Sequence, residues 1–180
     1  MALCACALAA CGNLQMPDMR MGAAPTAVVA ATPFTPVERE LVTKIAAKGM
    51  YEVEVSKLAA DKAMSPAIRD FARAMVTHHT QMNNEVIALM AARGVAPPRG
   101  LAADKATKLH RLAALPRSDA FDNGYIRVVG VEDHRNAIAM LEKARGQVKD
   151  RELREFVDRS LATMRMHLQM AQGALASLSG

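Results

Sequence analysis

The chain has 180 residues, 51% of them hydrophobic, enough to bury one sizeable core without requiring a second domain. With no Trp, 2 Tyr and 4 Phe, it is short of the aromatic and β-branched residues that sheets draw on, and its abundant helix formers predict an all-α protein. The formal net charge of +5 is spread among interleaved basic and acidic residues, and no nucleic-acid-binding module is recognisable, so a nucleic-acid partner is not expected.

Residues 1–11 are apolar and end in Leu8-Ala9-Ala10-Cys11 before Gly12, a pattern resembling a bacterial lipoprotein signal. Cleavage before Cys11 would leave its thiol to carry the lipid, and the mature protein would sit in the periplasm, anchored to a membrane, the outer membrane first. All 3 cysteines lie in this region, and Cys4 and Cys6 would leave with the peptide, so no disulfide or cysteine metal site is expected in the folded part. No Lys or Arg precedes Cys11 and the apolar stretch is short, which suggests a truncated start; it is also too short to span a bilayer. Residues 12–34, rich in Ala, Pro, Met and Thr and without period, read as a disordered tether with a reach of about 25 Å.

The folded domain is predicted over residues 35–178. Thr35-Pro36-Val37-Glu38 supplies a capping threonine, a proline at the first helical position and a glutamate three residues after the cap, which starts helix one. Its stripe runs Leu41, Ile45, Lys48, Glu52, Val55 and Ala59. The helix fades near Lys62. Ser65-Pro66 repeats the start signal, and the short connection makes helix two an antiparallel neighbour. Helix two carries Ile68, Ala72, Met75, His79, Met82, Val86 and Leu89 to about Arg93, with His78 at the edge of the stripe, before Gly94, Pro97 and Pro98 end it.

Val95 to Arg117 is far longer than a bundle turn and is predicted to hold a short extra helix, with Leu101, Leu109, Leu112 and Leu115 available for packing. Such a segment can run the length of a bundle, as in ferritin-like folds, or fold back as a cap at one end. Ser118 starts helix three, whose stripe is Phe121, Tyr125, Val128, Val131, His134, Ile138 and Leu141 up to Gly146. Asp150 caps helix four, with Leu153, Val157, Ser160, Met164, His167, Ala171 and Leu175 facing inward. The expected architecture is a ferritin-like four-helix bundle with a long second-to-third-helix connection.

Four stripes are thus each interrupted by a polar side chain: Glu52, His79, His134 and His167. At about 1.5 Å per residue, Glu52 and His79 lie roughly 18 and 22 Å from the first turn, and the other two roughly 22 and 28 Å from the last, so all four fall near mid-bundle. Buried together, they must pair with one another or coordinate something. The leading expectation is a hydrogen-bonded structural network; the sharper alternative is a mononuclear zinc, iron or copper site, with His78 as an accessory ligand. No Glu-x-x-His occurs, which disfavours a ferritin-type di-iron centre. Met75 and Met82 flank His79, and Met164 and Met170 flank His167, a set that would suit copper(I) but also serves as ordinary core filler. Cys-x-x-Cys-His is absent, so nothing marks a haem site. Asp122 and Tyr125 are placed to orient a histidine, although at a helix start Asp122 more simply complements the dipole. Ser160 lies on an inner stripe with no acid–base partner pattern, so no catalytic residue is expected.

From Gly49 to Gln172, through MYEVEVSKLAADKAMSP, FARAMVTHHTQMNNEV, FDNGYIRVVGVEDHRNAI and MRMHLQMAQ, the chain resembles the family called domain of unknown function 4142, whose members are ferritin-like bundles often labelled outer-membrane or periplasmic proteins. The resemblance carries Glu52, His79, Asp122, Tyr125, His134 and His167, and departs from the family at His78, where an acidic residue is usual. It implies fold and address more than chemistry. The sequence therefore points to a lipid-anchored envelope bundle, a binding or structural module more than an enzyme. A mononuclear metal protein with a redox or metal-handling role is the first alternative, and a protein-interaction module using the outer helical faces the second.

Overall fold

A computed structural model describes residues 31–178; the signal-like segment with Cys11 and the tether up to residue 30 lie outside the described residues. Six α-helices and one π-helical segment account for nearly all of it, and no strand occurs among the described residues. None of the helices is long and apolar enough to cross a membrane.

Helix α1 (Pro36–Lys62) begins at the predicted capping box: Glu38 N donates to Thr35 Oγ1, and Thr35 N donates back to the Glu38 carboxylate. Helix α2 (Pro66–Ala92) starts after Ser65, but the Ser65 side chain makes no cap hydrogen bond. Asp122 takes that place, its carboxylate accepting from Met64 N and Ser65 N at 3.1 and 2.7 Å. The aspartate neither orients a histidine nor merely serves its own helix; it closes the start of α2 from across the bundle. Gly94, at φ 66, ends α2 with the one positive φ among the described residues.

The connection to the second helix pair spans the whole bundle. α2 ends near Phe34 and Val95, whereas Arg117 donates to the Ala63 carbonyl at the opposite end. Between them, α3 (Ala103–Ala114) lies along α1, with Lys105 over the Tyr51 ring and Lys62 donating to the Ala113 carbonyl. This settles the crossover as the long ferritin-like one and makes α2 parallel to the rod that follows. No residue of α3 is fully buried; its leucines pack against the core from outside.

That rod is predicted as one helix and is built in three parts: α4 (Asp119–Tyr125), a π-helical segment (Ile126–Glu132) and α5 (Asp133–Arg145). The reason lies in the spacing. Tyr125 and His134 are nine residues apart, two and a half turns of α-helix, which would put them on opposite faces. At about 4.4 residues per turn the π segment brings nine residues close to two turns, and both side chains point inward. The shift moves the stripe: Val129 and Gly130 face the core, while Val128, assigned inward from the sequence, is 38% exposed. Gly130 meets α6 (Arg151–Ala176) so closely that a Cβ there would stand 2.8 Å from Ile126 Cδ1 and 3.0 Å from Ala171 Cβ.

The apolar interior divides in two. One cluster gathers the first half of α1, the end of α2, α5 and the start of α6, around Leu41, Val42, Met90, Phe156 and Val157. The other gathers the opposite ends, around Tyr51, Ile68, Phe71, Phe121 and Tyr125. Phe34, assigned to the tether from the sequence, is buried in the first cluster with the Arg93 guanidinium 4.6 Å from its ring. Between the two clusters lies a polar layer.

Candidate metal centre

His79, His134 and His167 project into this layer from α2, the start of α5 and α6, and each is at least 95% buried. Their rings enclose a small triangle, with centroids 5.6 Å apart for His79–His134 and 5.2 Å for the other two pairs. One nitrogen from each can be chosen so that all three lie within 4.8 Å of one another. Three of the four residues singled out in the sequence therefore converge.

Glu52 does not join them. It is 1% exposed, but its carboxylate lies outside the group of nitrogens, and neither of its oxygens has a protein hydrogen-bond partner. Burial pushes its carboxyl up to about 8, against the opposing pull of the Lys48 ammonium, so at neutral pH it is mostly protonated. Lys48 itself reaches across to the Asp133 carbonyl at 2.9 Å and to the Asp133 carboxylate at 3.7 Å. Tyr125 is also no partner for a histidine: its hydroxyl is 2.8 Å from Ser56 Oγ.

The π segment positions His134. Where it hands over to α5, the Val129 carbonyl accepts from His134 Nδ1 at 2.9 Å. A carbonyl can only accept, so in the neutral ring the proton is on Nδ1 and the Nε2 lone pair faces the cluster. That lone pair lies 3.3 Å from His167 Nδ1. His167 Nε2, on the far side of the ring, is 2.9 Å from Nδ1 of His78, which is half-buried. Nε2 of His79 is buried without a protein partner.

Burial holds all three imidazoles neutral. It takes His79 well below the usual imidazole range, with His167 and His134 adding to the effect, and lowers His134 despite the opposing Val129 hydrogen bond. His167 falls to about 3, again by burial first and then by its neighbours His134 and His78. Neutral imidazoles are the form that binds metal, so at pH 7 this set could take an ion without net release of a proton.

Beside His79 a cavity of about 40 Å³ opens toward the first apolar cluster, bordered by Met82, Met140, Met164, Asn83 and Ser160. That volume admits a few waters at most. Of the methionines singled out by spacing, Met82 and Met164 border it, Met75 is buried in the other cluster, and Met170 is 36% exposed. Met140 here and Asp133 in the polar layer are not expected from the sequence; each lies one residue from a position on an inward stripe, Leu141 and His134.

A sequence model described as Domain of unknown function (DUF4142) matches residues 23–174. No curated protein matches the chain. Among solved structures, the crystal structure of a DUF305 fragment from Deinococcus radiodurans is similar at a TM-score of 0.71, covering 81% of this chain and 99% of that one at 16% sequence identity, a likeness of fold alone.

Proposed function

Since the chain belongs to the DUF4142 family, we propose from its own residues that it is a mononuclear metal-binding protein of the cell envelope, in which His79, His134 and His167 hold one zinc, iron or copper ion. The observation that carries this is the convergence of three buried, neutral imidazoles. Two nitrogens on a tetrahedral ion at about 2.0–2.1 Å stand roughly 3.3 Å apart, and His134 Nε2 and His167 Nδ1 are 3.3 Å apart. The His79 ligand nitrogen lies within 4.8 Å of the other two and would draw in to complete the set. A network built only for stability would have paired His79 Nε2, which has no protein partner. His134 has its outer nitrogen fixed by a carbonyl, the support that metal-ligating histidines commonly have. Three such ligands leave a bound ion with a further position open to water or a small ligand. Attachment through a lipid on Cys11 is part of the same proposal and rests on the signal-like Leu8-Ala9-Ala10-Cys11 pattern alone.

Elemental analysis of protein purified without an affinity tag tests the centre. One ion per chain is expected in the wild type and less than a tenth of that in a His134→Ala, His167→Ala variant. A wild type that neither carries an ion nor takes one up from zinc, copper(II) or iron(II) would refute the metal centre. Fractionation tests the anchor: the wild type should stay with membranes and Cys11→Ala should be released.

A further inference from the structure

We propose that His78 is the positioning residue that readies His167 for the ion, an inference that rests on the metal centre proposed above. His78 Nδ1 and His167 Nε2 are 2.9 Å apart, the two rings are 1° from parallel and their centroids are 5.1 Å apart. That separation is the hydrogen bond plus a ring radius at each end, so the imidazoles lie edge to edge in one plane, in a straight N–H···N bond. His78 Nδ1 is committed to His167 and is not free to ligate, which replaces the accessory-ligand role expected from the sequence.

The direction of that bond is determined. The Val129 carbonyl fixes the His134 proton on Nδ1, so His134 Nε2 can only accept. In the ion-free protein His167 Nδ1 must then donate to His134, and His167 Nε2 accepts from His78. An ion needs the lone pair at His167 Nδ1. For His167 to offer it, its proton has to move to Nε2, and the bond to residue 78 has to reverse. A histidine at 78 permits this, because its Nδ1 donates in one tautomer and accepts in the other. The proton on His78 Nδ1 passes to His167 Nε2, half-buried His78 takes one from solvent at its own Nε2, and the proton from His167 Nδ1 is released to solvent, so both rings remain neutral and the hydrogen bond is kept. A side chain that could not accept would leave His167 Nε2–H unpaired in a buried site.

Cobalt(II) binding, followed by its visible absorption, tests this on the full chain with Asp, Asn and Leu at position 78. Asp and Asn place an oxygen one bond beyond Cγ, where the histidine has Nδ1, so each can accept from His167; Leu cannot. We expect His78→Leu to weaken cobalt about 10- to 100-fold and change its spectrum. His78→Asn should return to within several-fold of the wild type, and His78→Asp should bind at least as tightly. Nitrogen NMR should show His167 passing from the Nδ1–H to the Nε2–H form on zinc loading. Equal affinity in the wild type and the leucine variant, failure of asparagine to rescue, or a fall in metal-free melting temperature that tracks the affinity loss would overturn the proposal. Wild-type protein that binds neither cobalt nor any of zinc, copper(II) and iron(II) would overturn the metal centre and this inference together.

Discussion

Glu52 and the three histidines pull the pH dependence of stability in opposite directions. The histidines titrate near 6.5 when unfolded and are held lower by burial when folded, so as pH drops below 6.5 the unfolded chain takes up protons that the folded protein refuses, and stability falls. Glu52 has a folded value of about 8 against 4.5 unfolded; its stabilising contribution is complete below 4.5 and is lost as pH rises through 8. The metal-free protein should therefore be most stable near pH 6.5. Below that, the three histidines together outweigh the single carboxyl, and stability falls as pH drops. Glu52→Gln should flatten the alkaline side and steepen the acid side, where its opposing contribution is lost. Melting curves from pH 5 to 8.5 that show no maximum would contradict this account.

At the scale of elements, the π segment is what makes α4 and α5 a single working rod. Gly130 sits where it touches α6, with no room for a Cβ against Ala171. Gly130→Ala should cost about 1–3 kcal/mol through overpacking and weaken metal binding, because pushing the segment outward carries His134 with it; denaturant titration and cobalt affinity would measure the two effects. The helix starts were legible because Thr35-Pro36 and Ser65-Pro66 are local chemical signals. The π segment was not, because steps of three from Tyr125 to His134 look like a stripe until their 180° of drift is summed. The inward histidines were legible as polar breaks in apolar faces. The separation of Glu52 from them was not, since depth counted along a helix resolves about one turn, 5.4 Å, and a ligand set is decided within less. The partners of Asp122, Met64 and Ser65, lie 57 and more residues away, and no local pattern announces them.

Across the whole molecule, two buried carboxylates fasten the ends. Asp122 holds the α1–α2 turn. At the other end Glu38 accepts from Thr35 and also from Lys149 N and Asp150 N, both at 2.8 Å, joining the start of α1 to that of α6. Burial alone would raise its pKa, but the backbone N–H groups of Asp150, Thr35 and Lys149 outweigh it and bring the carboxyl to about 2. Glu38→Ala should cost about 3 kcal/mol or more by leaving those donors unpaired, with Glu38→Gln less severe and metal stoichiometry unchanged in both; urea denaturation and elemental analysis would check each. The histidine layer has a different effect, because it cuts the apolar interior into two droplets with an imidazole-lined waist between them. Each droplet can loosen without the other, so amide exchange in the two halves need not share one rate. An ion seated at the waist, held by three of the four rods, would weld the halves into a single melting unit.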